Sequence, residues 1–220
     1  MTTRHLFAVA LCVALLGSGA DSGGGQRPPE RPFTLAHVWT LDAVYTDREH
    51  GVTFRYPPTW KAETAWGYHP PALTVSGTEP IAGFEYSDWG SPGGPYSGTN
   101  LEGVGIVYSA VPASNSAQCE EKAVSISGET NHSSTSFGGQ TFTVYETGSA
   151  GMNQYNQGNL YVAYAVSTCY IFETGTAGSV LDEDSGGGKK LTQRQLRFID
   201  QRLRAIMGSV RLLPGSSHQH

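Results

Sequence analysis

The stretch Gly51-Val52-Thr53-Phe54-Arg55-Tyr56-Pro57-Pro58-Thr59-Trp60 sets the character of the chain. Val52, Phe54 and Tyr56 fall on one side of an extended backbone and Thr53 and Arg55 on the other, the period-2 alternation of a strand buried on one face. Pro57-Pro58 then ends pairing, because neither residue has an N–H to give to a ladder. Upstream, residues 41–46 alternate in the same way. The polar run Asp47-Arg48-Glu49-His50-Gly51 joins the two as a short hairpin loop in which Gly51 is free to take positive φ.

Further strands are expected at 60–66, 72–76, 81–86, 104–111, 140–147, 160–166 and 169–174. They are short and separated by turn residues, which favours antiparallel pairing. Two helices interrupt them. Asn115 with Gln118 three residues on has the form of a capping box ahead of a helix over 117–126, with Cys119 in its first turn. The second has Thr192 as N-cap, Gln195 as its reciprocal partner and Leu191 able to staple onto Leu196. Leu196, Ile199, Leu203, Ile206 and Val210 recur at helical spacing, with Arg194, Arg197, Gln201 and Arg204 at more exposed positions and Gly208 placed to end the helix. Such an amphipathic helix should lie across the sheet.

Tyr45 together with residues 51–60 resembles the opening of PsbP-like superfamily domains: a tyrosine, a glycine-led strand and a Tyr-Pro-x-x-Trp corner. The closing helix followed by Ser209-Val210-Arg211-Leu212-Leu213 is similar to the way such domains finish. The segments 137–142, 151–152, 160–164 and 169–170 look like exported bacterial proteins of this type. The resemblance implies an α+β fold, an α/β/α sandwich around a mainly antiparallel sheet with an amphipathic C-terminal helix, in a single domain over 34–214. It implies no activity, since one fold carries unrelated functions. The superfamily includes photosystem accessory subunits and other binding or assembly proteins, and none of its ligand sites maps onto this chain.

The N-terminus gives the compartment. Arg4 and His5 precede an unbroken apolar run from Leu6 to Leu16, and Ser18-Gly19-Ala20 supplies the small residues of a cleavage site, so residues 1–20 read as a signal peptide. The run is about eleven residues against the roughly 20 needed to cross a bilayer, so no stable membrane insertion of the mature chain is expected. Residues 21–33 are rich in Gly and Pro and read as a flexible leader, and 215–220 as a disordered tail. The expected location is extracytoplasmic, periplasmic or secreted. Two of the three cysteines, Cys119 and Cys169, remain after cleavage and are expected to pair in an oxidising compartment; two buried free thiols are the alternative.

The chain carries a net charge of −5, and loss of Arg4 with the signal peptide brings it to −6. Read as an acidic surplus spread along the chain, this argues against nucleic acid or an anionic membrane as partner. The arginines of the last helix read as a solvated face. Motifs for chemistry fall short. Gly148-Ser149-Ala150-Gly151 lacks the spacing of a nucleophile elbow. The histidines show no His-x-x-x-His pair, and His218-x-His220 sits at the loose terminus. Asp182-x-Asp184 starts a calcium-type loop that lacks its later donors, and residues 186–190 lack the hydroxyl residue of a phosphate loop. Asn131-His132-Ser133 is a glycosylation sequon by pattern. No cofactor or metal is expected.

The remaining candidate is the long segment 85–100, whose Tyr86, Trp89 and Tyr96 stand among turn residues. Such loops and such rings are common at recognition surfaces; the alternative is that the rings fold onto the sheet as a local lid. The sequence thus points to an exported, non-enzymatic binding or accessory domain of the cell envelope or extracellular space, with an unknown protein, peptide or glycan as partner. The alternative is an exported hydrolase whose groups converge only in space, with Glu102, Asp88 or His69 as candidates.

Overall fold

The computed structural model describes residues 38–63, 79–87, 94–151, 153–180 and 188–213. Contacts divide the chain into Met1–Arg31 and Pro32–His220, and every described residue belongs to the second unit. The expected signal peptide, leader and tail lie outside the described residues, as do the strand expected at 72–76 and the acidic loop at 182–184.

The hairpin read from the sequence forms as β1 (Ala43–Asp47) and β2 (Val52–Tyr56), in register from Ala43 opposite Tyr56 to Asp47 opposite Val52. Gly51 takes φ 66°, the left-handed turn that a side chain would resist. A two-strand hairpin needs further burial to persist. β10 (Arg211–Leu212) adds a third strand beside β2, and Val52 and Phe54 turn inward onto the larger sheet.

The larger sheet contains β3 (Lys61–Glu63), β4 (Ala82–Tyr86), β5 (Leu101–Pro112), β6 (Ser133–Phe137), β7 (Gln140–Gly151), β8 (Gln154–Ala165) and β9 (Thr168–Ser179). They run in the order β3-β4-β5-β9-β8-β7-β6, and every pairing between these strands is antiparallel. β7, β8 and β9 are each twelve residues long, longer than the apolar segments that predicted them. The added residues are mostly glycine, alanine and polar side chains, and many of them, the glycines and amides above all, have low strand preference; ladder pairing overrides it. β6, Ser133-Ser134-Thr135-Ser136-Phe137, was not expected at all.

Each face of the sheet carries a helix. α1 (Ser116–Ser127) lies on one face, where Cys119 and Ala123 pack with Tyr145, Leu160, Val162 and Ile171. Asn115 caps it as expected, its Oδ1 accepting from the Gln118 N–H at 2.9 Å, but the Gln118 side chain turns to the Ser114 N–H instead of closing the box on Asn115. Cys119 and Cys169 are joined in a disulfide with Cα atoms 5.3 Å apart, tying α1 to β9. The other face carries the small sheet and α2 (Gln193–Gly208), which buries Ile199, Leu203, Ile206 and Met207. The Thr192–Gln195 capping box is complete. The expected stop at Gly208 is displaced by one residue: the cap is Ser209 in right-handed conformation, whose N–H and hydroxyl both donate to the Ile206 carbonyl, at 2.9 and 2.6 Å, so no left-handed glycine is needed.

The resulting α+β architecture, a mainly antiparallel sheet between helices with one helix near the C-terminus, is the one expected. Its main core is a cluster of rings on the α2 face, where Phe172 stacks on Tyr108 at 5.0 Å and meets Phe54 and Phe142 edge-on.

Candidate binding cleft

The three aromatic candidates fare differently. Tyr86 ends β4 and is 8% exposed; Tyr96 is 2% exposed, and its hydroxyl accepts from Trp39 Nε1 at 3.0 Å. The two rings meet at 6.5 Å as part of the main core. A ring needs an open face to stack on a ligand, so neither Tyr86 nor Tyr96 can serve as an exposed platform. Trp89 lies outside the described residues. The same holds for two of the hydrolase candidates, Asp88 and His69. Glu102 is on β5, its Oε2 accepting from Gln154 Nε2 at 3.1 Å.

Asp47 and His50 make a close histidine–carboxylate pair, Nδ1 to Oδ2 at 2.7 Å. The other partners of this pair are structural. Asp47 also accepts from the N–H groups of Glu49 and His50 and, at 3.2 Å, from the Tyr108 hydroxyl, while the Tyr170 hydroxyl donates to the His50 carbonyl at 2.9 Å. Burial first, and the neighbouring Asp47 carboxylate second, push the Tyr108 phenol far above its ordinary range, so it stays a neutral donor. These contacts clamp the β1–β2 turn onto the sheet. Among the described residues there is no group of three or more His, Cys, Asp or Glu able to hold a metal ion, and no helix long and apolar enough to cross a membrane.

The sequence reading missed a cleft of about 300 Å³ between α2 and strands β7, β8 and β9. Pairing across β7, β8 and β9 sets two rows side by side: Glu146, Asn159 and Thr174 in one, Gly148, Gln157 and Thr176 in the next. Leu196, Ile199, Asp200, Leu203 and Arg204 of α2 form the opposite wall. The cleft therefore has a helix side of Leu196, Ile199 and Leu203 rimmed by Asp200 and Arg204, and a hydrogen-bonding side from the sheet. A Cβ at Gly158 would strike the Thr174 carbonyl, so glycine lets the two strand backbones pass closely at this point.

Thr176 is 4% exposed and lines the cleft, yet its hydroxyl has no hydrogen-bond partner. A buried hydroxyl left unpaired costs about 1–3 kcal/mol, a cost that most buried groups avoid. Neither the Gln157 nor the Asn159 amide makes a side-chain hydrogen bond with another described residue. Arg204 Nε donates to Asp200 Oδ2 at 3.0 Å along the helix rim. Beneath them, burial raises the pKa of the Tyr161 phenol; Arg204 pulls it down and Asp200 up, and the group remains neutral. Ligand sites commonly combine an apolar wall with a few convergent polar groups, and this volume is at the lower end of their usual range.

The sequence did contain a trace of the cleft in Gln154-Tyr155-Asn156-Gln157-Gly158-Asn159 and Glu173-Thr174-Gly175-Thr176. Amides and hydroxyls at alternate positions of a strand share one face. Residues 154–159 and 175–176 fall outside the expected strands at 160–166 and 169–174, so their shared face was not visible.

No family model matches the chain, and no curated protein matches it. The solved structures to which it is similar include these three. One is the cyanobacterial PsbP (CyanoP) from Synechocystis sp. PCC 6803, at 11% identity over 84% of this chain and 99% of that one, with a TM-score of 0.43. Another is LpqN, involved in cell envelope biogenesis of Mycobacterium tuberculosis, at 8% identity over 74% and 83%, TM-score 0.42. The third is the Saccharomyces cerevisiae Ran-binding protein Mog1p, at 8% identity over 79% and 96%, TM-score 0.46. At these scores and identities nothing of the three proteins' partners or roles transfers to this chain.

Proposed function

We propose that this chain is an exported, non-catalytic binding domain of the cell envelope or extracellular space, and that it holds its ligand in the cleft between α2 and β7–β9. The observation that carries the reading is the Thr176 hydroxyl, buried in the cleft wall with no hydrogen-bond partner. A ligand hydroxyl or amide seated there would satisfy it together with Gln157 and Asn159. Amides and hydroxyls suit recognition better than proton transfer, which works best with a group titrating near the operating pH. Export is supported by the N-terminal sequence and by the Cys119–Cys169 disulfide, a bond that persists in oxidising compartments.

The test is a screen of residues 21–220 against glycan and peptide arrays, repeated with Thr176→Val and Asn159→Ala. Loss of the bound species by both variants, with an unchanged circular dichroism spectrum, supports the cleft. Undiminished binding by both would move the site elsewhere.

A further inference from the structure

The acidic surplus is not spread along the chain. Of fourteen Lys and Arg, seven lie between positions 189 and 211: Lys189, Lys190 and the arginines at 194, 197, 202, 204 and 211. All seven are exposed, and Asp200 alone among the nineteen acids falls in that span. The rest of the sequence is correspondingly more acidic than the net charge suggests.

The placement opposes helix stability. α2 has no acid in its first turn and no base in its last, while Arg194 stands in the first turn, where the helix dipole disfavours a cation. Arg194 and Arg197, three residues apart, are neighbours of like charge on the helix surface. Neither makes a hydrogen bond or ion pair with another described residue. Arg202 leaves the row to sit over the Phe198 ring, 5.0 Å from its centroid. Arg194, Arg197, Gln201 and Arg204 recur at spacings of three, four and three, which makes a single stripe about 15 Å long at the rise of an α-helix. Its last member, Arg204, is also a wall of the cleft. Local choices that run against stability are expected where a surface has a task.

Taking the cleft as the ligand site, we infer that the ligand is an anionic glycopolymer or polyol-phosphate polymer, with one hydroxyl-rich repeat unit seated against Thr176, Gln157 and Asn159 and the negative links on either side running along the Arg194–Arg197–Arg204 stripe. The cleft itself carries the Arg204–Asp200 pair and Glu146, so its polar groups would accept an uncharged sugar or peptide unit and nothing inside it favours an anion; the stripe beside it selects a chain bearing repeated negative charge. The two parts share Arg204, so one extended molecule can occupy both.

The experiment titrates residues 21–220 with poly(glycerol phosphate), with dextran as the uncharged polymer and vesicles of anionic phospholipid as the alternative anionic surface. The expected result is binding to poly(glycerol phosphate) at least about tenfold tighter than to dextran, weakening steeply between about 50 and 200 mM salt as bound counterions are released. Arg194→Gln with Arg197→Gln should weaken polymer binding about tenfold and lower the salt slope by between one and two, roughly one for each lost phosphate contact. Thr176→Val should also weaken polymer binding but leave the salt slope unchanged. An arginine double variant with wild-type affinity and salt slope, alongside a Thr176→Val variant that has lost binding, would overturn the anionic ligand while keeping the cleft. Wild-type binding by Thr176→Val would overturn both. Vesicle binding as tight as polymer binding would overturn the polymer in favour of a membrane surface.

Discussion

The two faces of the large sheet hold their helices by different means. α1 buries only Cys119 and Ala123, a small apolar footprint, and is joined covalently to β9. α2 buries four large aliphatic side chains over a ring cluster and has a complete capping box. The difference has a physical consequence. A helix that buries little must be tethered; one that buries a full stripe can give its remaining surface to other tasks. α2 has such a surface beside its buried stripe, where the wall of a polar cleft adjoins a row of arginines at Arg204, whereas α1 is committed to its bridge.

The largest effect should come from the ring cluster under α2. Phe172→Ala removes a fully buried ring in contact with Phe54, Tyr108 and Phe142, and should lower unfolding free energy by about 3–5 kcal/mol in urea titrations. A loss below about 1 kcal/mol would mean that this face does not carry the fold.

Next is the bridge. Replacing both Cys119 and Cys169 by Ser opens a loop closed across a sequence separation of 50 and should cost about 2–4 kcal/mol. The comparison between the faces predicts more than a number: hydrogen exchange in the variant should accelerate in α1 well before α2. Equal acceleration in both helices would show that α1 holds its place without the bond.

A smaller effect tests α2's own local signals. Thr192→Ala removes the side chain that accepts from the Gln195 N–H and should cost about 1 kcal/mol, read as a shift in the urea midpoint.

Much of this arrangement was legible because short-range chemistry fixed it. Val52, Phe54 and Tyr56 alternate; Gly51 takes the positive φ its place in the loop required; Thr192 and Gln195 are a complete local motif. The cysteine pair followed from compartment and count. The cleft was not legible, because it depends on register. Thr176 faces Gln157 only through a pairing that extends β8 and β9 beyond their apolar residues, and the helix wall comes from residues some twenty positions later. Tyr86 and Tyr96 misled for the same reason in reverse: a Gly- and Pro-rich neighbourhood suggested exposure, while contact with Trp39, distant in sequence, draws Tyr96 inward. The basic stripe was visible residue by residue, but net charge concealed it.

The account turns on Thr176, whose hydroxyl is buried in the cleft without a partner. The decisive measurement is the urea unfolding midpoint of wild type and Thr176→Val, each without and with the same concentration of poly(glycerol phosphate). Removing an unpaired buried hydroxyl should leave the free protein as stable as wild type or more stable by up to about 1 kcal/mol, and the polymer should raise the midpoint of wild type by more than that of the weaker-binding variant. A variant destabilised by more than about 1 kcal/mol in the absence of polymer, or one stabilised by polymer as much as wild type, would contradict it.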